Sequence, residues 1–471
     1  MGAYNASVYA QAPTAVKTAQ SPGGLERLLA ARPVIDKNVS LDEAVQIAMR
    51  ESPVVRGAQD ELEAAAGRLN SARGETRPWV SANTFASGGS NGNIVSTSPL
   101  TQPQMIMGLL PGGFVDGNLM LMYPLYTGGR LSAMIRQAVA MRSASQADLG
   151  AQRQEVALMT RMAFREARAR QSLVGVAQAR LKENQERLRV DREKLEQGAA
   201  PLVTVRRDES EAAMAEQEVT NAERDVELSL VQLKTVMGIS PASRLELSGA
   251  NEYQPSADLL KRLTGEAQSS TTIGQAVALP PDLAALLREA ERQRPELQAA
   301  TQRVEGARAD TSVAKGAFQP QVNLFAMGDV MKSRGSDSFA GTTFGLAASL
   351  PLYNGGQRRA RVQTADAERR KQEEERNRIA LQVAQEVSTA LLNLRAAEKN
   401  IETARKGQTA AEEGYRVALL RFQAGRSIQL ELLDALAART KADSGVVQAL
   451  FQYNVAQDQL LRATGALVPV R

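Results

Sequence analysis

Neither cysteine nor histidine occurs anywhere in the chain. That excludes disulfides, thiol nucleophiles, imidazole bases and the usual zinc sites. Carboxylates, lysine, serine and tyrosine remain, yet no pattern gathers them into a convergent catalytic set, so the chain reads as a non-enzyme with no cofactor and no metal. Aromatic residues are only 4% of the total, and tryptophan occurs once. Alanine, glutamine, glutamate, arginine and leucine dominate instead, which is the composition of long helices. Clusters of one charge are missing too. The 57 basic and 52 acidic residues leave a net charge of +5 and are interspersed, as on a solvated helix face. No basic cluster interleaves with aromatics, so no nucleic-acid partner is indicated. Finally, no run approaches the roughly 20 apolar residues of a membrane-crossing helix. A β-barrel lacks such runs as well, because its strands alternate.

What the chain does contain is a repeat. Pro53 and Pro78 recur as Pro295 and Pro320, each 242 residues later. The run YPLYTGGR at 123–130 recurs as LPLYNGGQ at 350–357, now offset by 227, and Gly198 and Gly238 pair with Gly425 and Gly465 at the same 227. A single 15-residue length difference between Pro78 and Pro124 accounts for both offsets. Such a difference belongs in a surface loop. The expected organisation is an extended N-terminal segment (1–38), a first repeat (39–238), a linker (239–281), a second repeat (282–465) and a short tail (466–471).

Each repeat reads as helix, strand, loop, strand, very long helix, tight turn and returning helix. Ser40 with Glu43 has the spacing of a capping box, which sets the first helix start. No proline follows Gly129 until Pro201, or Gly356 until Pro469. A helix of about 65 residues would be about 100 Å long. Val383, Ala390, Ala397, Ala404, Ala411 and Ala418 are seven apart, as are Val387, Leu394, Ile401, Gln408, Tyr415 and Phe422. These stripes form a coiled-coil seam in which alanine permits close approach. Val174, Leu181, Leu188 and Leu195 keep the same period in the first repeat, and Val219, Val226 and Leu233 do so in its returning helix.

Strands are expected at 79–86, 118–125, 321–326 and 343–350. In the last two, Val322, Leu324, Phe344 and Leu346 fall on one side, with Thr343, Gly345, Ala347 and Ser349 on the other. This period-two pattern suits a lipid-facing strand, although a half-buried strand of a soluble sheet has the same local signature. Segments 87–117 and 329–341 are rich in glycine, serine and asparagine and read as surface loops. The apolar stretch 105–114 is unusual for a loop. Met105, Met107, Met120 and Met122 resemble soft-metal ligands, with hydrophobic packing the simpler reading. Four strands per chain cannot close a membrane barrel, whereas three chains would supply twelve.

This arrangement resembles the TolC family of outer-membrane efflux proteins over about residues 41–465. The residues that carry the likeness are the helix starts Ser52-Pro53 and Arg294-Pro295, the paired PLYxGG junctions, and RFQAGRSIQLELLDA at 421–435. The resemblance implies a mainly α fold with a small β part: in a homotrimer, a twelve-helix α-barrel crossing the periplasm and a twelve-stranded transmembrane β-barrel in outer-membrane lipid. It implies an exit duct for a tripartite efflux or type I secretion system, with a periplasmic adaptor protein and an inner-membrane pump of the RND, ABC or MFS type as partners. Glu431 and Asp434 match the acidic positions at the pore constriction, a glutamate replacing one aspartate. The adaptor-contacting tips would be Gly198, Leu202 and Val203, and Gly425, Ile428 and Leu430. The first turn departs from the family pattern at Ala199, Ala200, Pro201, Thr204 and Arg207. Residues Val8 to Ala12 resemble a signal-peptidase site, so a basic and apolar leader is expected upstream. The competing reading is a coiled-coil scaffold of the envelope without a conduit.

Overall fold

The computed structural model describes residues 31–87, 92–96, 104–110, 114–249, 253, 255–264, 280–333 and 338–468. The N-terminal cleavage-like segment and the residues after 468 lie outside them. The fold is mostly helical. Its first half runs β1 (Asp36–Val39), α1 (Leu41–Glu51), α2 (Pro53–Gly74), β2 (Trp79–Ser87), β3 (Gly92–Ser96), β4 (Gln104–Leu110), β5 (Phe114–Tyr126), α3 (Arg130–Glu196) and α4 (Leu202–Met237). Between the halves lie β6 (Arg244–Leu247) and α5 (Ser256–Thr264). The second half is α6 (Pro281–Gln293), α7 (Pro295–Gly316), β7 (Gln321–Ser333), β8 (Phe339–Ser349), α8 (Gln357–Gln423) and α9 (Gln429–Ala463).

The duplication is visible in the elements themselves. Helices α2 and α7 are both 22 residues long, and α3 and α8 are both 67. At 1.5 Å per residue each long helix spans about 100 Å. Proline at the first position of α2 and α7 splits the opening helix into two, since it lacks the N–H that would continue the preceding turn. Ser40 caps α1 as its spacing predicts: its N–H donates to Glu43 Oε2 at 2.9 Å, and its Oγ accepts from the Glu43 N–H at 3.4 Å.

Each half has its own apolar cluster around the middle of its long helix. The first joins Val39, Ile47, Val55, Phe164, Leu233 and Met237; the second joins Leu286, Val387, Leu394, Ile401, Tyr453 and Leu460. The seam of α8 is buried at Val383, Val387, Ala390, Leu394, Ala397, Ile401 and Ala418, as its heptads require. In α3 the buried stripe lies three residues on from the apolar one, at Ala177, Asn184 and Asp191. Val174, Leu181, Leu188 and Leu195 are only half-buried. Small and polar residues, not leucines, occupy the closest approach of that hairpin.

Two segments expected to be irregular are ordered. β6 pairs in parallel with β1, matching Asp36 to Arg244 through Val39 to Leu247. The linker also forms α5, whose Leu259 enters the second core. Within the first loop, β3 and β4 form an antiparallel hairpin, so the apolar stretch 105–114 is in large part a strand.

Candidate functional site: a two-faced sheet and a double hairpin tip

Strands β2, β5, β7 and β8 form one antiparallel sheet in the order β2-β5-β7-β8. Register assigns its faces. Leu121 lies opposite Val80 and Ala326, Ala326 opposite Phe344, and Leu324 opposite Tyr123 and Leu346. Because alternate residues share a face, one side carries Val80, Leu119, Leu121, Val322, Leu324, Val330, Phe344 and Leu346. Its one charge among the described residues is Lys332, near the end of β7. In the single chain Phe344 is 82% exposed and Leu346 65%. Contiguous exposed apolar surface of this kind marks a face that meets protein or membrane. The opposite side carries Ser81, Asn83, Asp116, Asn118, Asn323, Asp329 and Thr343, with an Asn83 Nδ2 to Asn118 Oδ1 hydrogen bond of 3.0 Å. Met120 and Met122 belong to this polar side. Met120 is fully buried between Ser81 and Met327, which makes it a packing residue, while Met105 and Met107 lie in β4.

At the far end of the helices, Gly198 and Gly425 turn the chain. Both have positive φ, 71° and 68°, a conformation open to glycine and strained for other residues. The Ala199 N–H then reaches the Lys194 carbonyl at 2.7 Å and the Arg426 N–H the Arg421 carbonyl at 2.9 Å, closing each long helix with a Schellman motif. Leu202, Val203, Ile428 and Leu430 are all more than half exposed around these turns. Glu431 lies in the first turn of α9. It accepts a 2.5 Å hydrogen bond from Ser427 Oγ and has Arg421 at 3.9 Å. Asp434, one turn further, is exposed.

A family model described as outer membrane efflux protein matches residues 44–239 and 286–466. The chain belongs to the outer membrane efflux protein family. Its two matched segments are the two structural repeats, with the inter-repeat linker left out. Family membership places it in the outer membrane of a Gram-negative cell. Protein CyaE of Bordetella pertussis is 31% identical over 191 residues, covering 40% of either chain. This efflux-family chain thus aligns with well under two thirds of that relative's length. Among solved structures, the outer membrane protein VceC of Vibrio cholerae superposes with a TM-score of 0.68 at 18% identity, over 90% of this chain and 96% of that one. The MtrE outer membrane channel of Neisseria gonorrhoeae gives 0.70 at 19% identity, over 91% and 89%. At such identities the likeness establishes the fold.

The family fold also holds polar contacts that the sequence pattern did not reveal. Asp208 of α4 and Asp191 of α3 are buried side by side within the first hairpin, their side chains 0% and 3% exposed. Arg187 Nε donates to Asp208 Oδ1 at 3.0 Å, Gln429 Nε2 of α9 donates to the same oxygen at 2.8 Å, and Lys194 Nζ lies 3.1 Å from Asp191 Oδ1. Burial first, and then the neighbouring Asp191 carboxyl, pushes Asp208 up to about 6 against the pull of Arg187. Higher up, Asp458 of α9 is fully buried between Arg161 Nε at 2.7 Å and Arg165 Nε at 2.5 Å, both on α3. A lone polar residue at a heptad position looks in sequence like a solvated one, so neither cluster stands out there.

Proposed function

We propose that the chain is one third of an exit duct, passing substrates through the outer membrane for a tripartite efflux or type I secretion system. The observation that carries this reading is the four-stranded sheet with one exposed apolar face and two open edges. Edge groups left unpaired in lipid cost several kcal/mol each, so the sheet must close with others. β2 and β8, the two edges, run in opposite directions because the intervening pairs are all antiparallel. β8 of one copy can therefore join β2 of the next and continue an antiparallel ladder around a ring. Three copies give twelve strands, with Val322, Leu324, Phe344 and Leu346 toward lipid and the Asn/Asp/Thr side toward the lumen. In each half the opening and the returning helix both pack along the long one, so three copies give a tunnel twelve helices in cross-section and about 100 Å long.

In this assembly the exposed apolar tips, Leu202 and Val203 beside Gly198 and Ile428 and Leu430 beside Gly425, dock a periplasmic adaptor, which connects the duct to an inner-membrane pump. Glu431 and Asp434 lie three residues apart and project from nearly one helix face. Six such carboxylates around a three-fold axis make a cation-attracting constriction. Recording in planar bilayers tests this. Wild-type protein gives a low-conductance, cation-selective channel blocked from the periplasmic side by multivalent cations. Glu431→Ala with Asp434→Ala weakens block and selectivity while assembly persists. Unchanged block and selectivity in the double variant would place the constriction elsewhere.

A further inference from the structure

Where the sheet meets the helices, the charge is largely of one sign. α3 and α8 each begin soon after a strand, at Arg130 and Gln357. Their caps, Gly129 and Gly356, have positive φ of 77° and 82° and no side chain, and neither first turn carries an acid. One long side-chain contact reaches these turns, from the Leu131 N–H to Thr127 Oγ1 at 3.4 Å. The first acids along the two helices are Asp148 and Asp366, about 27 and 14 Å further down. Arg136, Arg359 and Arg361 stand exposed in between. The end of α7 fits between the two helix starts. A Cβ on Gly316 would lie 3.2 Å from the Arg130 backbone nitrogen. Arg358 Nη1 donates to the Ala317 carbonyl at 3.4 Å, with its guanidinium 5.1 Å over the exposed Phe318 ring.

Arg130 and Arg358 are the poorly satisfied members of this seam. Arg358 is only 8% exposed. The Nε of each is buried without an acceptor, and no acid among the described residues pairs with either guanidinium. Arg130 Nη1 donates to the Met134 thioether at 3.7 Å, a weak acceptor. Capping α7 does not use up this charge. The C-terminus of α7 offers about half a negative charge, while the starts of α3 and α8 each add about half a positive one. About two and a half positive charges remain without a counter-charge, an unfavourable arrangement for groups withdrawn from water. Directly above lies the apolar face of the sheet. Tyr126 stands opposite Val322 in the ladder, which puts it on that face. Leu350 and Tyr353, just past β8, are exposed, Tyr353 at 87%. Apolar strand, tyrosine and arginine thus follow one another in the order of acyl chain, interface and headgroup.

We propose that Arg130 and Arg358, at the seam of α3, α7 and α8, bind the phosphodiester of an anionic phospholipid whose chains lie along the apolar face at Tyr126 and Val322. The inference rests on the duct reading for placing that face in lipid. A guanidinium fork matches the two free oxygens of a phosphodiester, and the N–H groups of a helix start favour the same anion. The phosphate supplies the counter-charge that the chain does not. A zwitterionic lipid brings its own cation, which the arginine-rich seam disfavours.

Native mass spectrometry of the full-length protein in neutral detergent tests the site by counting retained lipid. Two basic groups at an anionic headgroup layer are worth about thirty-fold in affinity, so phosphatidylglycerol should be retained over phosphatidylcholine by about that factor. Arg130→Gln with Arg358→Gln abolishes the preference. Arg130→Gln alone, at the less buried member, still lowers it about five-fold, which keeps the test open if the double variant fails to fold. Lys399→Gln with Lys406→Gln removes two charges about 60 Å down α8 and keeps the preference. A preference that survives in the arginine variants, or that falls equally in the lysine pair, overturns the proposal. Inorganic phosphate that raises thermal stability as much as phosphatidylglycerol does would make the seam a free-anion site and overturn it too. In the ring, α2 of the next copy ends beside α8, so a preference absent from wild type and present in Glu75→Gln would make that carboxylate the counter-ion instead. Bilayer conductance separates this inference from the duct reading. Lipid preference without conductance keeps the lipid site and sinks the duct, and conductance without preference does the reverse.

Discussion

Asp458 should be the costliest single carboxylate to remove. Its side chain is fully buried on α9, and Arg161 and Arg165 close on it from α3 at 2.7 and 2.5 Å. The two arginine side chains are themselves only 18% and 13% exposed, so neither can simply turn into water. Asp458→Ala leaves two guanidinium groups side by side with their shared counter-charge gone. Stranding a buried charge in this way costs about 3–5 kcal/mol. A triple variant, Asp458→Leu with Arg161→Met and Arg165→Met, removes the charges together and keeps the volume, and should recover most of that loss. Guanidinium denaturation in detergent, followed by helical circular dichroism, reads both. Asp458→Ala within about 1 kcal/mol of wild type, or a triple variant no better than the single one, would refute the view that this ion cluster ties the two halves together at mid-height.

Gly238 and Gly198 share a positive φ but not their surroundings. A Cβ on Gly238 would meet the Glu51 carbonyl oxygen at 2.7 Å, whereas nothing lies within 4 Å of one on Gly198. Gly198→Ala should thus cost only the left-handed conformation, roughly 1–2 kcal/mol, and Gly238→Ala clearly more, as thermal unfolding would show. Phe344→Arg places a charge on the apolar side of β8 and should cost about 2–4 kcal/mol of insertion stability if that side meets mid-bilayer lipid. Thr343→Arg, on the opposite side, should fold into liposomes like wild type, and equal losses for the two would remove the face assignment.

Features that rest on period and punctuation were legible in the sequence. The 227-residue offset between the PLYxGG junctions reappears as two 67-residue helices that begin 227 residues apart. The heptads from Val383 to Ile401 are buried as written. Pairing over long separations was not legible. β1 and β6 are four-residue strands more than 200 residues apart, and neither has enough alternation to declare itself. The β3–β4 hairpin hides in a glycine- and serine-rich region for the same reason. In α3 the leucine stripe suggested one contact line, and the helix packs instead on Ala177, Asn184 and Asp191. Small residues permit closer approach than leucine, Asn184 donates to the Glu211 carbonyl of α4, and Asp191 accepts from Lys194 of its own helix. Asp208 lies across the hairpin turn from Asp191, and Gln429, which donates to it, is 221 residues further on, so only the fold brings the buried carboxyl pair into view. At the tip, the turn glycines were readable from spacing, while Ser427 as a partner of Glu431 became evident only from the side-chain contact in the structure.

The central claim is that this sheet is incomplete alone and closes as a ring of three. Mass measurement of the intact protein in mild detergent, with β-structure monitored in the same sample, tests it most directly. The account predicts a particle whose protein mass is three times the 50.6 kDa of one chain, with no stable smaller species that keeps its strands. A monodisperse monomer with the β2-β5-β7-β8 sheet intact would contradict it.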